Sequence, residues 1–437
     1  MKASLADIHH CGIALLQFLS SMKSSRILQT LTLAITSARL IFLVALVVRF
    51  WVLSQLLPAH AWRNFYQYNE FARIAWAMVS GYGYSSPWAN TPLTATAVEP
   101  PIYAYILAAI FKLAGPYSYA SLWIGVGLNA VLSAFTAVLI FLVGKRDFNS
   151  ATGILAAWVW SAWIYEAAVS VRLWESSLAA FLLMIALWWL PQLARNTSQS
   201  RWLLFGGLAG VAALTNTTLL SVFPCLWYWL WFGYRRQQRS CRTVLLASVT
   251  VFVLTLVPWT IRNYVTFGRL MPIRDNFGLE VWIGNHEGAT ESHQYPNAFP
   301  ILDPTEYNQL GELPFMEAKR HMAAQFIRQH PLDFLSLTAW RFLRFWITPV
   351  GTVWPVISLL AWAGLALVLQ RNGFQGVPYA IVMVVFPIIY YITHSFPTYR
   401  HPIEPVVIIL AMYALVSLAK LTAASLRSGL PTVAAKH

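Results

Sequence analysis

Acidic residues are scarce. Only 16 of the 437 positions are Asp or Glu, against 30 Lys and Arg, which leaves a formal net charge of +14. Charges of both signs make up 11% of the chain, where soluble globular proteins carry roughly 25%. Cysteine is scarcer still. Cys11, Cys225 and Cys241 are too scattered for a disulfide framework or a zinc-ligand spacing. There is no HExxH, no Walker loop and no GxGxxG after a strand, so soluble ATP- or NAD-driven chemistry has no support. No clean signal peptide opens the chain, because Lys2, Lys23 and Arg26 interrupt short apolar stretches with no small-residue cleavage site after them. Internal repeats and low-complexity tracts are also missing.

What is abundant is apolar. Hydrophobic residues make up 58% of the chain and the mean hydropathy is +0.56, the composition of a polytopic membrane protein. Apolar runs fall near 40–57, 118–143, 150–169, 175–192, 202–217, 218–233, 243–260, 353–370, 376–393 and 402–419, about ten spans by length. The pair covering 202–233 breaks only at TNTT, 215–218.

The expected fold is therefore all-α. Residues 1–39 form a cytosolic N-terminal tail, 40–260 an N-terminal transmembrane module, 261–350 an outer loop, 351–420 the last spans and 421–437 a cytosolic tail. Basic residues gather in alternate segments: Arg39, then Lys145 and Arg146, Arg195 and Arg201, Arg235, Arg236, Arg239 and Arg242, Arg371, and Lys420. The intervening short turns hold one each, Arg172 and Arg400. That asymmetry puts both termini in the cytosol, and it accounts for the positive charge without a nucleic-acid partner. Two outer segments are long, about 58–117 and 261–350. The stretch 315–330 is amphipathic and stops before Pro331, as an interfacial helix would. The 21 Trp and 19 Tyr suit the membrane–water boundary.

Where the few acids fall is informative. Between residues 8 and 146 there are two, Glu70 and Glu99, both in the first outer segment. Glu166 and Glu175 flank the next outer turn. A carboxylate near a membrane is costly and tends to mark a site. Each has a plainer reading. Glu99 before Pro100 and Pro101 suits a helix start, Glu70 can sit on a solvated helix face, and Arg172 with Glu175 can be a local ion pair of little weight. Tyr399, Arg400 and His401 form a polar cluster entering the last span, which reads as an interfacial anchor or as a phosphate clamp. Arg262, Arg274, Asp275 and Asn276 follow the seventh span, with Gly278, Glu280 and Asn285 close behind, and read as interfacial charges or as a substrate loop. Acids beside arginines at one membrane face suit sugar transfer from a lipid-phosphate donor, where a base takes the acceptor proton and cations stabilise the departing phosphate.

In this order the motifs resemble the GT-C superfamily of polytopic glycosyltransferases. The stretches are 62–116, with VEPPIYAY, then VRLWES at 171–176, PWTIRNYVTFGRLMPIRDNFGLEVWIGN at 258–285 and YRHPIEP at 399–405. The chain is most similar to the protein O-mannosyltransferase and aminoarabinose-transferase-like bacterial proteins. The resemblance implies inverting transfer of a sugar from a polyprenyl-phosphate donor to an acceptor, protein, lipid or glycan, on the outer face of a bacterial inner membrane. It implies catalytic roles for Glu70 and Glu99. It implies contact with the donor and its phosphate for Arg172, Glu175, Tyr399, Arg400 and His401. Many members carry an Asp–Glu pair in the first loop; here Asn69 stands before Glu70, and no aspartate occurs in that loop. Two isolated glutamates make a poor hard-cation site, so a divalent metal has no support. The WWD signature of oligosaccharyltransferases is absent, which argues against transfer of a whole oligosaccharide. A flippase for lipid-linked sugar and a polysaccharide ligase or polymerase are the alternatives. Acids grouped at the outer edge favour the transferase, whereas acids at mid-bilayer favour transport.

Overall fold

The computed structural model describes residues 36–56, 62–66, 69–88, 91–289, 304–347 and 353–428. The expected tails at 1–39 and 421–437 lie largely outside these residues. Among the described residues the chain is helical, without a strand; the pairing of Ser85 with Ala95 is an isolated bridge.

Eighteen α-helices follow one another in the described chain. The first outer segment is framed by α1 (Ala38–Leu56), α2 (Glu70–Val79) and α3 (Pro101–Ala114). Then come α4 (Tyr119–Asp147), α5 (Ser150–Ala162), α6 (Ile164–Ser170), α7 (Ser176–Arg195), α8 (Gln199–Thr215), α9 (Leu219–Arg236) and α10 (Arg242–Phe267). The second outer segment folds as α11 (Phe277–Gly284), α12 (Pro304–Leu310), α13 (Glu312–Gln329) and α14 (Pro331–Ile347). The chain ends with α15 (Val353–Asn372), α16 (Val377–Val385), α17 (Ile388–Ile392) and α18 (Glu404–Ser428).

Six stretches are long and apolar enough to cross a membrane: Ala38–Leu56, Tyr119–Asp147, Ser176–Arg195, Arg242–Phe267, Val353–Ile392 and Pro397–Ala423. The chain is an integral membrane protein of helical type. The other expected spans, at 150–169 and 202–233, coincide with shorter helices, α5 with α6 and α8 with α9. The TNTT break ends α8 at Thr215 and lets α9 begin at Leu219. The amphipathic stretch at 315–330 lies within α13, and Pro331 opens α14.

Helix ends follow local chemistry. Ser118 and Ser121 form a capping box at the start of α4, and Asn149 caps α5 through Thr152 N at 2.9 Å. The core is built around α18, whose residues from Val406 to Ala411 are fully buried. Helix α15 lies against it at Gly364, where a Cβ would come within 2.0 Å of the Leu410 carbonyl oxygen. Small residues permit such close backbone approach in membranes.

Two expected spans are interrupted. Pro387 lies between α16 and α17, where its ring and missing N–H prevent a continuous helix. Trp163 separates α5 from α6 with no proline to explain it. The compensation comes from a distant helix. Arg49 on α1 is fully buried and donates to the carbonyls of Trp160 at 3.0 Å and Ser161 at 3.1 Å, and to Ser133 Oγ at 2.7 Å. Its guanidinium satisfies carbonyls that the broken helix leaves without partners.

Candidate active site

The site is assembled where the first and second outer segments meet the starts of α2, α3 and α7. Asn69 caps α2. Its Oδ1 accepts from Ala72 N at 2.8 Å, and its Nδ2 donates to the Leu173 carbonyl at 2.8 Å. This ties α2 to the turn at 171–175 and sets Glu70 at the first helical position. Trp88 Nε1 donates to Glu70 Oε1 at 2.9 Å. Glu99 precedes Pro100 and Pro101, whose fixed φ begins α3. Tyr84 OH donates to the Glu99 carbonyl at 2.8 Å.

The carboxyls of Glu70 and Glu99 lie close enough to perturb one another. Two ionised carboxylates are both acceptors and repel one another at close range. Burial pushes both above the usual carboxylate range. For Glu99 the nearby charge of Glu70 adds to the rise, and Arg274 opposes it.

Arg274 connects the two outer segments. Its Nη2 is 3.1 Å from Glu99 Oε1 and 3.8 Å from Glu280 Oε1, and its Nε donates to the Val98 carbonyl at 2.5 Å. Burial alone would depress its pKa; the carboxylates of Glu99, Glu280, Glu70 and Glu175 outweigh that and hold it charged. Glu280 accepts from Asn276 Nδ2 at 2.5 Å and lies 3.3 Å from His394 Nδ1. The other ring nitrogen of His394 is 3.0 Å from Tyr399 OH.

Glu175 is buried at the start of α7. Asn216, from the TNTT break, donates to its Oε1 at 3.0 Å, and its Oε2 has no hydrogen-bond partner among the described residues. Arg172 is exposed and makes no side-chain hydrogen bond or ion pair among the described residues. The site therefore combines two neighbouring acids, a fixed arginine and a buried acceptor oxygen; the charge of Arg172 is felt at His401, beside this cluster.

The remaining sequence candidates lie elsewhere. Arg262 braces the first outer segment, donating to the Thr96 carbonyl at 2.7 Å and the Tyr84 carbonyl at 2.9 Å, over the Trp259 ring at 4.9 Å. Asp275 lies close enough to Glu312 for each acid to perturb the other. Ala97 N donates to Glu312 Oε1 at 2.6 Å, and Tyr307 OH to Oε2 at 3.1 Å. Burial pushes Asp275 up to about 6 and Glu312 up to about 8. Arg400 is not brought to the acid cluster. Its guanidinium is fully buried, pairs with Glu404 through both Nε and Nη2, donates to Ser358 Oγ at 2.6 Å and stacks on Trp354 at 3.8 Å. His401 is spent on Glu166, Nδ1 to Oε2 at 2.7 Å, and Tyr399 turns to His394.

Sequence reasoning did not single out Trp88, Asn216 or His394. Asn216 sits in a break that was visible. Trp88 and His394 carry no local signal. Among the described residues, no group of three or more His, Cys, Asp or Glu is placed to hold a metal ion.

Residues 98–261 match the family model described as dolichyl-phosphate-mannose-protein mannosyltransferase. That segment holds Glu99, Arg172 and Glu175 and stops short of Arg274. The fold is similar to that of the Archaeoglobus fulgidus oligosaccharyltransferase in its apo form, at 14% identity and a TM-score of 0.54, covering 90% of this chain and 52% of that one. It is also similar to archaeal oligosaccharyltransferase AglB from the same organism, in complex with an inhibitory peptide and a dolichol-phosphate, at 13% identity, a TM-score of 0.55 and coverage of 90% and 52%. The chain thus spans about half the length of these enzymes. ArnT from Cupriavidus metallidurans bound to undecaprenyl phosphate aligns at 16% identity over 90% of this chain and 66% of that one, with a TM-score of 0.46. No curated protein matches by sequence. The membrane helices thus share the fold of these two oligosaccharyltransferase structures.

Proposed function

We propose that the chain is a membrane glycosyltransferase that moves a sugar from a polyprenyl-phosphate donor to an acceptor at the outer face, with inversion. The observation that supports this reading is the neighbouring acids Glu70 and Glu99, the one held by Trp88 and the other by Arg274. Their mutual repulsion leaves only one of them ionised. The acceptor hydroxyl oxygen attacks the anomeric carbon as that carboxylate takes its proton. The bond from the anomeric carbon to the phosphate oxygen breaks, and the electron pair leaves with polyprenyl phosphate. Glu70 is half-buried, and with Glu99 buried behind it, Glu70 is the member open to the acceptor. Glu99, paired to Arg274, tunes it. Arg172 is free to meet the departing phosphate, as a guanidinium suits phosphate oxygens. The unpartnered oxygen of Glu175 can accept from a sugar hydroxyl. Arg400 acts here as a brace for the start of α18.

The flippase reading has less support. Glu404 is the first residue of α18 and Glu175 immediately precedes α7, so these buried acids sit at helix ends.

The test uses the full chain in nanodiscs with a panel of radiolabelled polyprenyl-phosphate monosaccharides. Free polyprenyl phosphate is released by the wild type. Glu70→Gln loses roughly 10²- to 10⁴-fold in rate, the usual weight of a general base, with its melting curve unchanged. Sugar crossing the bilayer of proteoliposomes, with no donor cleaved, would refute transfer in favour of transport.

A further inference from the structure

A second feature lies at the other end of the helices. A cavity of about 500 Å³ opens among α4, α7, α9, α15 and α16. Helix α7 runs from Ser176, next to Glu175, to Arg195 on the cavity rim. Its length, at 1.5 Å per residue, separates the two sites by roughly 30 Å. The cavity cannot be a branch of the acid cluster.

Its lining has two chemistries. The wall is mixed, with Leu187, Leu190 and Leu230 on one side and Gln237, Asn372 and Gln375 among its polar groups. The rim carries Arg146, Arg195 and Arg239 against one acid, Asp147. Asp147 is already engaged, by Arg146 Nε at 2.5 Å and by Tyr379 OH at 2.6 Å. Arg195 has no side-chain partner among the described residues. Arg239 lies over the Tyr234 ring at 4.9 Å and donates at 3.3 Å to the Arg195 carbonyl and at 3.5 Å to Gln237 Oε1. Two guanidinium groups thus face the cavity mouth without a counter-ion.

We propose that this cavity binds an anionic, phosphate-bearing membrane lipid, its phosphate between Arg195 and Arg239 and its chain along the leucine wall. The lipid belongs to the leaflet opposite the acid cluster. The leucine side of the cavity offers a free phosphate no partner, whereas a lipid chain can lie against it. A nucleobase is no better served. Trp229, the indole in the lining, donates to the Phe374 carbonyl at 2.8 Å and has the Phe374 ring stacked on it at 5.2 Å. The combination of cationic rim and leucine side fits an amphiphile.

The test is native mass spectrometry on the detergent-purified full chain, titrated with phosphatidylglycerol, phosphatidylcholine or soluble glycerol phosphate. Phosphatidylglycerol is expected to be retained in preference to phosphatidylcholine. Arg195→Gln and Arg239→Gln, both at exposed positions, each weaken it by about fivefold, the effect of one arginine near an anionic headgroup. Ala194→Trp fills the cavity, keeps every charge and abolishes retention. Equal retention of the two lipids, or indifference to the arginine changes, overturns the proposal. So does glycerol phosphate binding as tightly as phosphatidylglycerol, which would make this a free-anion site.

Discussion

Arg274→Gln removes the cation that Glu99 and Glu280 share. The Arg274–Glu99 contact is 3.1 Å, with the side chains 22% and 5% exposed. At that distance and an effective dielectric near 20, the Coulomb attraction is about 5 kcal/mol before desolvation. Breaking a largely buried pair while leaving its partner in place costs roughly 3 kcal/mol once desolvation and residual exposure are counted. Part of the penalty is relieved by protonation. Arg274 opposes the rise of both Glu70 and Glu99, so without it the acid pair holds its proton to higher pH. The acid limb of the pH–rate profile then moves up by about one unit or more. The assay is a double-mutant cycle on unfolding free energy with Glu99→Gln, alongside pH–rate curves with the donor that turns over. The expected coupling is about 2–3 kcal/mol, because Arg274→Gln loses most of its effect once Glu99 is neutral. Additivity within about 0.5 kcal/mol, with an unmoved acid limb, would mean that the pair does not form and that Arg274 does not tune the carboxyls.

Glu312 makes stability depend on pH. Burial raises its carboxyl to about 8, so the folded chain keeps a proton that the unfolded chain releases above about 4.5. Stability therefore falls as pH rises through that window. Glu312→Gln flattens melting temperature against pH between 6 and 9, and an unchanged slope would contradict the assignment. Arg172→Ala raises KM for the lipid-phosphate donor about tenfold or more, with thermal stability untouched, as expected for a cation used only by the ligand. Arg400→Ala strands the buried Glu404 and costs roughly 3–5 kcal/mol, read as loss of folded protein on size exclusion; a well-folded variant with raised KM would return Arg400 to the donor.

Much of the fold was legible because hydropathy runs report membrane helices directly. The TNTT break and the amphipathic stretch before Pro331 were legible for local reasons, a polar cluster and a helical period. The interruption at Trp163 was not. It depends on Arg49, more than a hundred residues away, for the carbonyls it leaves open. At the site, Glu70 and Glu99 stood out because the first half of the chain has so few acids. The meeting of Glu99 with Arg274 is a tertiary fact, between residues 175 apart in sequence. Arg172 and Arg400 looked equivalent as lone arginines in outer turns. The difference is Glu404, four residues after Arg400 on the same helical face, and that spacing was readable as an internal pair.

Asn69 fixes more than the start of a helix. Its side chain does two opposite jobs, accepting from Ala72 N and donating to the Leu173 carbonyl. An aspartate could cap the helix equally well. It could not donate, and would place a second acceptor 2.8 Å from the Leu173 oxygen. The turn bearing Arg172 and Glu175 hangs from that amide, so a single change of amide to acid at position 69 would keep the helix cap and unhook the turn.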